Sequence, residues 1–362
     1  MRKRRLLYLA GVVILILLVL SGCRIPETPK GTTGEGPQQP AVPPEPPRKE
    51  ELSLEDYNGG FFTIKKPAGW DIATGGSCST FAFVIRDTSN PTNQIFYFNE
   101  VGPVYLAEEQ KGIDSNYMQM GGYPIVWFEM PVISPLTPEN FLENFHLIAG
   151  TDIARSFMPV NHVEIISSDP EPSLLSGGQA STMRALFTQG GELGEGLFYL
   201  TVAPVLPLMG APGGGIGYGF SFAGISSAKD DFKEWQGTLF QSIQSLTISQ
   251  SYIDGCIQQQ NEQYKGILKA GKTLSETSDI IMDSWENRNE SDDIISEKRS
   301  DAILGRERVY NPDTGEVYRV ENGFYDGYNL HRQEYSMNDL RLLPDNDWDL
   351  WTSPTLPGSD ID

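Results

Sequence analysis

The sequence predicts an α+β fold, and two observations carry that prediction. Short apolar runs of strand length, separated by turn-forming residues, fill residues 60–249, and an amphipathic helix lies among them. Beyond residue 250 the pattern changes to polar helical stretches followed by one hairpin. With 39% hydrophobic and 10% aromatic residues, the 362-residue chain can build a sizeable core.

The elements follow in order. Gly60-Phe61-Phe62-Thr63-Ile64 reads as a strand, and Lys65 to Trp70 as a turn presenting a tryptophan. Phe81–Ile85 and Gln94–Phe98 read as strands on either side of the turn-rich Asp87–Asn93 stretch. Pro138–Leu142 opens a short helix, and His162–Ile166 is a strand. Ala180–Gln189 and Gly196–Val205 form a paired set around Gly190-Gly191, and Gly217–Phe222 is a late strand. Lys229–Gln241 is the amphipathic helix, with Phe232, Trp235, Leu239 and Phe240 on one side, and Ser242–Ser249 closes as a strand. The opening Phe62-Thr63-Ile64-Lys65-Lys66-Pro67-Ala68-Gly69-Trp70 resembles that of PsbP/Mog1-like domains. So does the ending, a strand, a helix holding Phe232 and Trp235, then Ser242–Ile248. The resemblance covers about residues 52–249. It implies an antiparallel sheet flanked by helices, and a binding or accessory protein rather than an enzyme.

The C-terminal part, residues 250–362, reads as helical with a hairpin and an irregular acidic tail. Helices are expected at Tyr252–Ala270, after Ser275 or Ser278, and at about Glu290–Leu304, where Gly305 stops the last. Glu307–Tyr310 and Glu316–Val320 flank the turn Asn311-Pro312-Asp313-Thr314-Gly315. The last ten residues are expected to be mobile.

The N-terminus reads as an address. Met1-Arg2-Lys3-Arg4-Arg5 is basic, Leu6–Leu20 is uncharged and apolar, and Leu20-Ser21-Gly22-Cys23 follows. This is the layout of a secretory signal peptide, and its ending resembles the lipobox of bacterial lipoproteins. The resemblance implies cleavage before Cys23, with residues 1–22 removed and Cys23 carrying a diacylglycerol and palmitate. An uncleaved anchor is the alternative, but fifteen apolar residues fall short of the ~20 that span a bilayer. Residues 23–50 form a Pro-rich tether, since Pro43-Pro44, Pro46-Pro47 and their polar neighbours cannot bury enough apolar surface to fold.

The formal charge of −21 argues against nucleic acid as a partner, and loss of the four N-terminal bases takes it to about −25. With Cys23 acylated, Cys78 and Cys256 remain. An exported chain permits a disulfide between them, and two buried free thiols are the other reading, because sequence does not fix a Cα separation.

Formal catalytic motifs fail for want of context. Gly266-Ile267-Leu268-Lys269-Ala270-Gly271-Lys272-Thr273 fits the P-loop pattern, but it follows a polar helix rather than a buried strand. Ser226-Ser227-Ala228-Lys229 fits the S-x-x-K of penicillin-binding enzymes without its companion motifs, and the serines sit where a helix N-cap belongs. His146, His162 and His331 are scattered, and Asn311, Asp313 and Glu316 lack calcium-loop spacing. No catalytic, cofactor-binding or metal-binding residue is therefore assigned. Trp348 and Trp351, set among Asp345, Asp347 and Asp349, are the candidate ligand or partner surface, with packing of the tail onto the body as the competing reading.

These readings converge on an expected function. The chain is read as a lipid-anchored protein on the extracytoplasmic side of the cell membrane, with a non-catalytic binding or accessory role toward an envelope protein or cell-wall glycan. The alternative is an envelope hydrolase acting on wall polymer through a carboxylate pair or through Ser226 and Lys229.

Overall fold

In the computed structural model, residues 52–149, 160–173, 175, 177–259 and 290–361 are described. Cys23, the tether and the Gly266–Thr273 motif lie outside the described residues. Strand β1 (Leu54–Asn58) folds back on β2 (Phe62–Pro67), with Tyr57 opposite Ile64. Along β2, Phe62 and Ile64 are buried while Thr63 and Lys65 face out, the alternation of a half-covered strand. Strands β3 (Asp71–Gly75), β4 (Ala82–Arg86) and β5 (Gln94–Tyr105) then pair in turn.

Three helices follow: α1 (Glu108–Gln119), α2 (Pro138–Glu143) and α3 (Phe145–Ala149). Thr137 caps α2 by accepting from the Asn140 amide, and Pro138 occupies the first turn, where its missing N–H costs nothing. Next come β6 (Asn161–Glu171), β7 (Gln179–Gln189), β8 (Glu192–Pro207) and β9 (Gly215–Ala228). Gly190 and Gly191 join β7 to β8 with φ of +62° and +90°, conformations that a two-residue hairpin turn needs and glycine adopts freely.

These strands form a seven-stranded antiparallel sheet, ordered β3-β4-β5-β9-β8-β7-β6. One face packs on α4 (Lys229–Gln244) and β2 through Phe62, Trp70, Tyr97, Phe232 and Leu239. The other packs on α2 and α3 through Phe96, Phe141, Phe145, Phe198 and Phe222. Fully burying side chains such as Phe232 and Leu239 contributes about 1.5–3 kcal/mol each. The fold class is therefore a mixed α+β arrangement of antiparallel strands flanked by helices.

The expected closing strand Ser242–Ser249 is corrected. Helix α4 runs on to Gln244, because Leu239, Phe240 and Ile243 keep the helical spacing that buries them. Only β10 (Thr247–Ile248) is extended, and it pairs with β2. After α5 (Gln250–Gln259), the C-terminal part contains α6 (Glu290–Ile303), β11 (Arg306–Tyr310), β12 (Val317–Glu321), α7 (Phe324–Leu330), β13 (Arg341–Leu342), α8 (Trp348–Thr352) and β14 (Thr355–Pro357). Its sheet is ordered β13-β11-β12-β14, with β14 parallel to β12. The tail is thus ordered rather than mobile, since β14 gains ladder bonds and Ile361 is buried with Val309, Tyr328 and Leu340.

Candidate functional site

The most unusual chemistry lies where the C-terminal part meets the end of the large sheet. Arg184 is the one charge on β7, and Glu195 lies in the adjoining strand β8. The Arg184 Nε donates to Glu195 Oε1, and its Nη1 donates to Asp293 Oδ1 at 2.7 Å. Lys229, at the start of α4, places Nζ 3.0 Å from Glu195 Oε2 and donates to Glu297 Oε1 at 2.6 Å. Arg308 on β11 donates to Glu297 Oε2, to Asp301 Oδ2 at 2.7 Å and to the Trp351 carbonyl at 2.9 Å. Asp293, Glu297 and Asp301 recur four residues apart, so one face of α6 supplies the anionic side. Apart from the partly exposed Glu297, all these ionised side chains are buried.

Burial opposes charge at each of these groups, and neighbouring charges decide the outcome. Around Glu195, burial pushes the carboxyl up, but Lys229 and Arg184 outweigh it and hold the value below the usual range. Glu297 is lowered in the same way by Lys229 and Arg308. Burial pulls Lys229 down, yet the Glu195 and Glu297 carboxylates raise it above an ordinary lysine. Asp301 goes the other way, because there burial outweighs Arg308.

This arrangement holds charge in place and does not activate a nucleophile. A lysine acting as a base must lose its proton easily, and Lys229 keeps it. The Ser226 hydroxyl donates to the Thr92 carbonyl at 2.8 Å and is fully buried. The N-cap expectation for Ser226 and Ser227 is corrected, since both lie in β9 and the capping position is Ala228, without a side-chain bond. They are held by the ladder to β8, because β9 runs six residues past the expected end at Phe222. Among the described residues, no group of three or more His, Cys, Asp or Glu side chains could hold a metal ion.

Trp348 and Trp351 pack inward. Trp351 is buried with Ile294, Val317 and Leu343, and its Nε1 donates to the Pro344 carbonyl at 2.8 Å. Half-buried Trp348 donates from Nε1 to Asp293 Oδ2 at 2.9 Å, so it closes the ion network rather than offering a free stacking face. Cys78 and Cys256 form a disulfide with a Cα separation of 5.4 Å. It ties α5 to the turn between β3 and β4, where the Cys78 amide donates to Tyr252 Oη at 2.7 Å and the Tyr252 ring stacks on Phe61.

An open groove of about 420 Å³ is lined by Arg306, Arg319, Glu321, Thr355 and Pro357. Of its charges, Arg319 lies 3.5 Å from Asp230, and Arg306 stands opposite Glu321 in the β11–β12 register.

Sequence reading missed the ion network. A signal was present, because Arg184 interrupts an otherwise uncharged buried strand, but its Asp293 partner is 109 residues away.

No family model matches the chain, and no curated protein is similar to it. Among solved structures it is similar to the solution structure of cyanobacterial PsbP (CyanoP) from Synechocystis sp. PCC 6803. The match has 13% identity and a TM-score of 0.24, and covers 55% of this chain and 95% of that one.

Proposed function

We propose that the chain is a lipoprotein, anchored to the cell membrane by lipid on Cys23 and facing the extracytoplasmic side, with a non-catalytic binding or accessory role. The observation that carries the reading is the Cys78–Cys256 disulfide, taken with Leu20-Ser21-Gly22-Cys23. Structural disulfides persist in oxidising compartments, where a signal peptide delivers its cargo. The bond also accounts for both cysteines other than the one the lipobox pattern selects. A diacylated cysteine supplies the two chains that stable anchoring requires, and the Pro-rich tether joins that anchor to the folded body. The partner class is an envelope protein or a cell-wall glycan.

The hydrolase alternative loses one of its candidate mechanisms, because Ser226 and Lys229 are both committed to other groups. Cys23→Ser tests the leading reading. The parent is expected in the membrane fraction as a processed form, and the variant in the soluble fraction or as an uncleaved precursor. A variant that fractionates and matures like the parent overturns it.

A further inference from the structure

The ion network sits at one end of the β8–β9 ladder, near the Glu195–Ser227 pair, and the Pro207–Gly215 pair marks the other. Two stretches that reach that second end carry little charge in a chain of net charge −21, although exposed Glu108 and Glu109 open α1 and exposed Glu129 lies in the loop after it. Residues 112–127 contain one acid or base, Asp114, and it is buried, accepting from Tyr105 Oη at 2.7 Å and from Gln110 Nε2 at 2.8 Å. Residues 196–228 contain none.

The same end projects apolar side chains into solvent. Ile113, Tyr117 and Met120 fall on one face of α1. Tyr123 is 85% exposed, Met120 82%, Val126 79% and Met209 100%. They belong to one surface. The Tyr123 amide donates to Tyr117 Oη at 3.3 Å, and Gly122 lies so close under the Tyr117 ring that a Cβ would stand 2.4 Å from it. The loop bearing Met209 is seated on the same helix, where a Cβ on Gly210 would lie 2.8 Å from Gln110 and 3.3 Å from Ile113.

We infer that this end is a bilayer-contacting surface, with Tyr117, Met120, Tyr123, Val126 and Met209 seated among the lipid headgroups. The inference rests on the tethered-lipoprotein reading. Side chains this exposed protrude rather than line a groove, which suits entry into a soft interface. Tyrosine, with its apolar ring and polar tip, favours the headgroup level. Reach is sufficient, because the 29 residue steps from Cys23 to Leu52 span up to ~100 Å, against ~40 Å from Glu195 to Pro207 along β8. Affinity need not be high. A tether gives an effective concentration near millimolar, so a weak contact suffices to hold this end on the bilayer.

The test uses the full lipidated chain reconstituted into phosphatidylcholine vesicles. A polarity-sensitive dye is placed on Met209→Cys or, as a control, on Leu330→Cys, which is exposed on the C-terminal helix α7. Brominated lipid should quench the Met209 dye several-fold more than the Leu330 dye, and Tyr123→Glu with Val126→Glu should abolish the difference. Equal quenching on vesicles that still retain the protein overturns the surface and leaves the tether standing. Energy transfer between copies labelled at Met209, without lipid quenching, makes the end a copy–copy interface and also overturns it. Protein that does not stay with the vesicles sinks both readings.

Discussion

Arg184 on β7 and Asp293 on α6 are 109 residues apart in sequence, yet a guanidinium hydrogen of one lies on a carboxylate oxygen of the other at 2.7 Å N···O separation. Both side chains are 93% shielded from solvent. The pair joins the C-terminal part to the body through charge rather than through a large apolar face. A buried pair gives weak net stabilisation over an apolar replacement, but removing one partner strands the other.

Asp293→Ala is therefore expected to cost about 3 kcal/mol, softened from a fully stranded charge because Glu195 still serves Arg184. Urea unfolding measures the loss, and Trp348 emission should shift as its Nε1 loses its acceptor. By contrast Asp345→Ala, which removes an exposed partner of Lys298, should leave the unfolding midpoint unchanged.

Acid should loosen the same junction. The folded values of Glu195 and Glu297 lie below the ordinary Glu value of 4.5. Their stabilisation is then fully present above about pH 4.5 and is lost as pH falls through the depressed values. Asp301 has the opposite sign, since its value is raised and protonation favours the fold. The Glu195 and Glu297 contributions therefore weaken below pH 4.5, with Asp301 opposing them. Urea midpoints from pH 7 to 3 should show a slope that Glu195→Gln flattens.

Reduction of the Cys78–Cys256 bond opens a loop spanning 178 residues. Chain entropy alone assigns such a loop about 5 kcal/mol, and measured losses for native bonds run at about 2–5. A Cys78→Ser, Cys256→Ser double variant should unfold at lower urea by that amount. Protection of amides in α5 should fall first in hydrogen exchange, because the bond and Tyr252 are its ties to the body.

Ser226→Ala separates a structural serine from a nucleophile. The Ser226 hydroxyl satisfies the Thr92 carbonyl, so its loss should cost about 1 kcal/mol. Mass spectrometry of the parent after exposure to a β-lactam should show no covalent adduct. An adduct on the parent that disappears in the variant would reinstate the acyl-enzyme reading.

Much of the fold was legible where local chemistry decides it. Gly190-Gly191 between two apolar runs dictated the β7–β8 hairpin, and Gly315 closed the β11–β12 turn. The α4 spacing gave the helix but not its end, because Ile243 and Leu246 fit either a helical or an extended period. Strand β1 was missed because Glu55 and Asp56 face solvent in an edge strand and carry no apolar alternation. Helix α1 was missed for a related reason, as its apolar residues face water rather than a core. The ion network was hidden because each charge is ordinary in its own window, and only the fold brings Arg184, Lys229 and Arg308 to one face of α6.

The central claim concerns Cys23, and the most direct measurement is the mass of the N-terminal peptide of the mature protein taken from membranes. The account predicts a peptide beginning at Cys23 with the added mass of a diacylglycerol and no trace of residues 1–22. An N-terminal peptide retaining Met1–Gly22, or one with unmodified Cys23, would contradict it.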